Sequence, residues 1–434
     1  MSRVLLVAPR VGAEPSYPLL VAHAAPLLER AGHEVEAADL AFETRDELAR
    51  RLAGGRFDWL GCVATLGGGA EVRRVFAAAA APVRTFVIGP LPALDRRRAL
   101  HMTGAELAVA PFEALPDALA WARAAEGDPP PGCAVSRGGI LAEGPAPRGS
   151  RLADLPRPSV RLFDVGRYSH AVRAARKPYA AIVTSRGCAR GCAYCPVPAL
   201  FPGGFDARPA DQVYAEMADL ARAHGVRNVL VEDDQFLHDR ARVVSLCDAL
   251  GRDPLPLTWE LVNGVRPDLA DAHLLARMGR AGCRRIVFSF EHVGRPAHGV
   301  GYDYEVARAA VVAARRAGIG VGGYFIVGLP GVDARETQRG LVNAFRLRLD
   351  QAKFSPFVAV PGSPFAERTR PLGLPPAHAK RLCQAAELAF FAQPRVALSL
   401  LRDLASDPAA LPTFARRALE LGRVGGPYPF RTAL

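Results

Sequence analysis

The sequence predicts an α/β chain: a doubly wound parallel sheet, then a parallel barrel of six strands, then a helical C-terminal region. Three observations carry this prediction. Strand and helix patterns alternate singly over residues 1–125, and strands separated by single helices imply a parallel sheet. A second alternating series of six units starts at Tyr179, which suits an incomplete parallel barrel. Beyond Pro364 the strand pattern stops, and residues 376–422 show helical spacing.

In the first series, VLLVAP (4–9), HEVEAADL (33–40), DWLGCVAT (58–65), VRTFVIG (83–89) and ELAVA (106–110) have strand length and composition. The stretch YPLLVAHAAPLLERAG (17–32) reads as a helix ending in a C-cap glycine. Residues 126–160 are rich in proline and glycine, which predicts a linker. The second series has strands AAIVT (180–184), NVLVE (228–232), LTWELV (257–262), RIVFSFE (285–291), VGGYFIVG (321–328) and AKFSPFV (352–358), with helices such as 209–225 and 304–318 between them. The expected domains are a Rossmann-like unit over 1–125, a linker over 126–175, the barrel over 176–366 and a helical region over 367–434.

The 434 residues, 50% hydrophobic and 23% charged, have the composition of an ordinary globular protein with ample core material. The formal charge of +12 does not predict a nucleic-acid partner. Only three of the 55 basic residues are lysines (Lys177, Lys353, Lys380), and no window packs basic residues around interleaved aromatics. The apolar run of five residues within Met1–Arg10 is too short for a signal-peptide core. Nor does any stretch approach the roughly 20 apolar residues that span a bilayer. The expectation is a cytoplasmic, reducing setting without a membrane span, where clustered cysteines serve metal binding or catalysis.

Such a cluster stands at RGCARGCAYCP (186–196), where Cys188, Cys192 and Cys195 are spaced C-x3-C-x2-C. They follow the first barrel strand, on the face where such barrels keep their chemistry. Three thiolates can wrap one corner of an iron–sulfur cluster and leave one iron without a protein ligand. An open metal position receives a substrate or cofactor. Zinc is the alternative and needs a fourth ligand. Cys62, Cys247 and Cys283 read instead as small buried hydrophobes, and Cys133 and Cys383 have no patterned partner.

With Tyr194 directly before Cys195, this motif resembles the signature of the radical S-adenosylmethionine (SAM) enzymes, C-x3-C-x-aromatic-C after the first strand of a six-stranded partial barrel. The resemblance implies a 4Fe–4S cluster on the three cysteines, with SAM chelating the open iron. It further implies a flavodoxin- or ferredoxin-like electron donor and a deoxyadenosyl radical that removes hydrogen from a small-molecule substrate. Four later segments also resemble family positions, in the right order: VEDDQF (231–236), NGVRPD (263–268), FSFEH (288–292) and GYFIVGLPG (323–331), with VAVPGSPF (358–365) closing the sixth strand. By this resemblance Tyr194, Asp233, Asp234, Arg266, Ser289, Glu291 and Gly328 approach SAM, and Glu291 or His292 is an acid or base toward substrate. Taken alone, either aspartate at such a turn serves equally as a helix N-cap.

The Rossmann-like unit followed by LADLPRPS (152–159) resembles the cobalamin-binding branch of the same family. The matching loops are ATLGGGAEV (64–72) and IGPLPAL (88–94), which makes Thr65, Gly67, Gly68, Gly89 and Pro90 cobalamin-binding candidates. The Asp-x-His-x-x-Gly motif that supplies a cobalt ligand is not found, and APRVGAEPS is not a dinucleotide fingerprint. The branch implies cobalamin-dependent methylation of carbon in a secondary-metabolite type of substrate. A second reading is radical dehydration or epimerisation of a sugar or aminoglycoside without cobalamin. A third, from another class, is a non-catalytic metal-binding sensor or scaffold.

Overall fold

A computed structural model describes residues 1–10, 16–79, 82–124, 126–147, 149–168, 177–366, 374–406 and 411. The chain divides into two compact units, the first over Met1–Tyr168 and the second over Ser169–Gly425.

In the first unit, β1 (Arg3–Ala8), β2 (Glu34–Asp39), β3 (Trp59–Val63), β4 (Arg84–Ile88) and β5 (Leu107–Val109) form the parallel part of one sheet in the order β2-β1-β3-β4-β5. Leu5, Leu6 and Val7 in β1 are buried to within 1% exposure, as befits a strand covered on both faces. The helices between strands are α1 (Leu19–Arg30), α2 (Arg45–Gly55), α3 (Gly69–Ala77), α4 (Pro90–Leu94), α5 (Arg96–Thr103) and α6 (Leu115–Ala124). Helix α2 starts on a capping box, in which Thr44 and Glu47 satisfy each other's backbone N–H groups.

The linker expected over 126–175 is corrected in its first part. Cys133–Arg137 (β6) and Ile140–Glu143 (β7) join the sheet as two antiparallel strands beyond β5. The sequence hid them because Gly138 and Gly139, both at positive φ, turn the chain between strands of only five and four residues. Residues 169–176 of the expected linker lie outside the described residues.

The second unit is a six-stranded, all-parallel sheet: β8 (Tyr179–Ile182), β9 (Asn228–Val231), β10 (Thr258–Val265), β11 (Cys283–Glu291), β12 (Gly320–Val327) and β13 (Gln351–Pro356). Its order is sequential from β8 to β13, and the two edge strands do not pair with each other among the described residues. Each strand is followed by at least one helix: α7 (Ala210–Arg222), α8 (Arg240–Arg252), α9 (Ala272–Arg280), α10 (Tyr304–Arg316), α11 (Ala334–Arg346), then α12 (Pro376–Phe391) and α13 (Pro394–Ser406). The expected helical C-terminal region is thus seen over 376–406, while residues 412–434 lie outside the described residues. No helix among the described residues is long and apolar enough to cross a membrane.

Strand alternation sorts the side chains. Phe290, Phe325 and Phe354 stack at centroid distances of 5.6 and 5.1 Å, and Phe345 of α11 and Phe390 of α12 continue the cluster. Ser289, Glu291 and Tyr324 take the opposite face of the same strands, toward the barrel interior. Strand β10 runs three residues past its expected end at Val262. Its register with β11 slips between Leu261 and Val265, and the irregularity passes through Gly264 at φ +92°. Phe354→Ala should remove the middle of the stack and destabilise the barrel unit by about 3–5 kcal/mol. A denaturant titration of the full chain should show this as an earlier midpoint for the barrel transition.

Candidate active site

The segment leaving β8 turns inward over residues 183–187 and delivers Cys188, and two adjacent carboxylates at the end of β9 hold it. Asp233 accepts the Thr184 N–H at 2.6 Å, the Thr184 hydroxyl at 2.5 Å and the Ser185 hydroxyl at 2.6 Å. Asp234 accepts the Gly187 N–H at 2.8 Å. Gly187 sits at φ +79°, and a Cβ there would stand 2.0 Å from the Gly204 carbonyl oxygen. Only glycine fits this position.

Asp233 therefore differs from its expected place beside the cofactor. Its carboxylate is fully buried and its oxygens are engaged by the loop itself and by Arg242, 3.7 Å away. Asp234 is half-buried, and desolvation pushes its carboxyl up to about 7, further raised by Asp233 and opposed by the Gly187 hydrogen bond.

The three cysteines are half-buried and lie within electrostatic range of one another. Burial raises the Cys192 thiol and pushes Cys195 up to about 12. No three Cys, His, Asp or Glu side chains converge on a single ion among the described residues. A cluster, by contrast, takes each thiolate on a different iron. The donor set of three adjacent thiols, with Arg190 and Arg266 in range of them, fits a 4Fe–4S cluster whose charge those guanidiniums offset. Metal coordination also supplies the deprotonation that burial opposes.

Two further segments pin this loop. Gly299 accepts the Cys192 thiol at 3.7 Å, and the Arg190 guanidinium hydrogen-bonds the Tyr302 hydroxyl while lying 4.6 Å from its ring centroid. The Phe365 N–H donates to the Ala193 carbonyl at 2.9 Å. The roles of Arg190, Gly299, Tyr302 and Phe365 in holding the loop were not read from the sequence, because nothing in their spacing marks a partner so distant along the chain.

Glu291 and Tyr194, far apart in the sequence, meet. The Tyr194 hydroxyl donates to Glu291 Oε1 at 2.7 Å, and the Ser289 hydroxyl also hydrogen-bonds this carboxylate. The Ser289 Oγ lies where a Cβ on Gly264 would be, 2.3 Å from that position. Glu291 adopts φ +58°, next to a register shift between Ser289 and Glu291, a strained conformation for a non-glycine residue. Burial pushes its carboxyl up to about 7, against the pull of Tyr194, Ser289 and Arg190.

His292 is a correction. Its imidazole is 5% exposed and packs on α11: a Cβ added to Gly340 would meet its ring at 2.5 Å, and one added to Gly294 at 2.6 Å. A Cβ on Gly301 would meet the His292 carbonyl oxygen at 2.9 Å. Its Nε2 lies 3.3 Å from Glu336 Oε1. This is a satisfied core histidine on the helix side, away from Glu291's partners, and it is not placed to exchange a proton with substrate. Arg266 pairs with Asp268, Nε to Oδ1 at 3.1 Å. Gly328, at φ +84°, turns its Cβ direction toward Ala379 and Leu374 rather than the barrel interior.

In the first unit, Thr65, Gly67 and Gly68 follow β3 on the C-terminal edge of the sheet. The order β2-β1-β3 places the strand-order reversal, and hence the crevice, beside them. Gly67 is exposed and Gly68 half-buried. Gly89 and Pro90 are buried after β4, and a Cβ on Gly89 would press on the Ala64 carbonyl oxygen at 3.2 Å, so their small size serves the turn. This edge offers small residues and backbone groups, which fit a large planar group held by its periphery. His23, in α1, instead packs edge-on against Phe112.

Residues 182–339 match the model of the radical SAM superfamily. The barrel belongs to the radical SAM superfamily. The curated relatives include an uncharacterized methyltransferase of Pyrococcus horikoshii, 24% identical over 229 residues, or 52% of this chain and 49% of that one. Another is the cytidylyl-2-hydroxyethylphosphonate methyltransferase of Streptomyces wedmorensis, 24% identical over 194 residues, 41% of this chain and 35% of that one. The chain thus spans about half or less of the curated relatives it matches. Among solved structures, the radical SAM methyltransferase TsrM of Kitasatospora setae, with cobalamin and a 4Fe–4S cluster bound, superposes with a TM-score of 0.68. The two are 20% identical over 84% of this chain and 74% of that one, a likeness of fold that extends well beyond residues 182–339.

The raised Glu291 carboxyl sets a pH dependence. Folding is favoured fully below the ordinary value of 4.5, and this contribution is lost as pH rises through about 7, because the folded state resists ionisation. Glu291→Gln has no such penalty. Metal-free Glu291→Gln should therefore gain stability over the parent chain between pH 4.5 and 7, with the gap constant above that. Parallel pH curves of the two unfolding midpoints would contradict this.

Proposed function

We propose that the chain is a radical SAM enzyme that binds a 4Fe–4S cluster through Cys188, Cys192 and Cys195 and, with cobalamin, methylates carbon in a small-molecule substrate. The observation that carries the reading is the three-thiol loop at the C-terminal end of the first barrel strand, with no fourth protein ligand beside it among the described residues. When bound, the cluster supplies the electron, and SAM the sulfonium, for reductive cleavage; a flavodoxin- or ferredoxin-like donor would reload it. The chain's own part is positional and electrostatic. Asp233 and Asp234 shape the loop, Arg190 and Arg266 offset negative charge at the thiolates, and Glu291, held by Tyr194 and Ser289, faces the interior. Asp234 and Arg266 remain the side chains best placed to meet the polar end of SAM.

Methylation is supported by the fold likeness to TsrM, whose second structure holds a tryptophan substrate and a SAM analogue, and by the names of both curated relatives. Cobalamin would lie on Thr65, Gly67 and Gly68, with Gly89 and Pro90 behind them. One observation favours radical dehydration or epimerisation instead: Glu291 is a buried carboxyl near 7, suited to proton transfer at neutral pH, which methyl transfer does not demand.

Anaerobically reconstituted protein should take up hydroxocobalamin in a visible-absorbance titration and convert SAM to both S-adenosylhomocysteine and deoxyadenosine as a substrate is methylated. No uptake, with deoxyadenosine formed and no S-adenosylhomocysteine, would move the assignment to dehydration or epimerisation. Cys192→Ala should abolish both the cluster absorbance and SAM cleavage; turnover that survives it overturns the proposal.

A further inference from the structure

We propose that Arg242, acting through Asp233, is a positioning residue that sets the geometry of the cysteine loop. The inference rests on the reading of Cys188, Cys192 and Cys195 as cluster ligands. Arg242 lies at the start of α8, on the outer layer of the barrel, yet its side chain is only 5% exposed. It donates to the Thr184 hydroxyl at 2.9 Å and to the Thr184 carbonyl at 3.4 Å, and its other terminal nitrogen donates to the Phe236 carbonyl at 3.3 Å. Asp233 Oδ2 stands 3.7 Å from the same guanidinium. Thr184 is thus gripped from both sides: its hydroxyl donates to Asp233 and accepts from Arg242.

Such a buried pair needs a reason. Desolvation opposes the charge on Arg242 even with Asp233 and Asp239 alongside, and apolar residues of the same volume would stabilise a core at least as well. What apolar residues cannot do is fix direction. The pair fixes the peptide planes on both sides of Thr184, through its N–H and its carbonyl, and Asp234 fixes that of Gly187, directly before Cys188. A comparably buried pair, Arg285 with Glu260 at 2.5 Å, lies near the start of the strands, where Arg285 also donates to Gln351 at 3.1 Å.

The test uses reconstituted full-length protein and four variants. Thr184→Val removes the hydroxyl that links Asp233 to Arg242 and keeps the shape. Thr184→Ser restores it. Arg242→Lys keeps the charge and loses the fork, and Arg285→Met is the matched control. Iron per chain, the electron paramagnetic resonance spectrum of the reduced cluster with and without SAM, and the initial rate of SAM cleavage are read together. Thr184→Val and Arg242→Lys should bind iron with an altered spectrum and cleave SAM about tenfold more slowly, the scale of one hydrogen bond to a charged group. Thr184→Ser should match the parent, and Arg285→Met should lower stability without changing the spectrum. Should Thr184→Val fail to fold, Thr184→Ala removes the same hydroxyl with less bulk and makes the same reading.

Parent-like spectra and rates in Thr184→Val and Arg242→Lys overturn the positioning role and leave the cluster assignment standing. So does an equal spectral change in Arg285→Met. A parent protein that binds no iron overturns the cluster assignment and this inference together.

Discussion

Two consecutive carboxylates at the end of one strand must find their donors in the segment leaving the neighbouring strand, and the organisation of the site follows from this. Asp233 and Asp234 lie directly beside that segment because β8 and β9 are paired in register, Ile182 opposite Val231. Unpaired, two buried acids would be costly. Paired with the Thr184 and Gly187 N–H groups and two hydroxyls, they turn a stretch of irregular backbone into a fixed support for three cysteines. The loops after β11 and β13 then close on the cysteine loop, Gly299 at the Cys192 thiol, Tyr302 at the Arg190 guanidinium and Phe365 at the Ala193 carbonyl.

The second half of the site depends on a departure from regularity. A regular strand would continue to alternate past Phe290, but the register shift there, with Glu291 in the left-handed region, aims a carboxylate at Tyr194. Backbone strain of this kind persists only where the surroundings over-determine it. Here Ser289, Tyr194 and the packed phenylalanine layer behind them do so. The phenol thereby ties the loop bearing two of the cysteines to the fourth strand of the barrel.

Much of this was legible in the sequence. The strands of both units fall within a few residues of their hydrophobic runs, and the cysteine spacing marked the loop before any fold was known. Three things escaped for physical reasons. Strands β6 and β7 are short and lie among prolines, so composition masked them. Arg242 sits in an ordinary amphipathic helix, and only the folded chain brings it to Thr184. His292, adjacent to Glu291, invited a functional reading, because the sequence does not reveal that the strand ends at Glu291 in a left-handed turn that sends the next side chain to the helix layer.

The surroundings of His292 carry one more consequence. Its ring and carbonyl occupy space left by missing side chains at Gly294, Gly301 and Gly340, the first two in the 292–302 loop and the third in α11. The imidazole and these glycines therefore form a single steric unit and cannot drift independently over evolutionary time. A methyl gained at any one of the three collides with the histidine, and a smaller residue at 292 leaves a hollow that only new side chains at 294 and 340 would fill. At Gly294 and Gly340, where the ring itself is met, substitutions are coupled to position 292; at Gly301 the backbone carbonyl and the positive φ exclude a side chain whatever stands at 292.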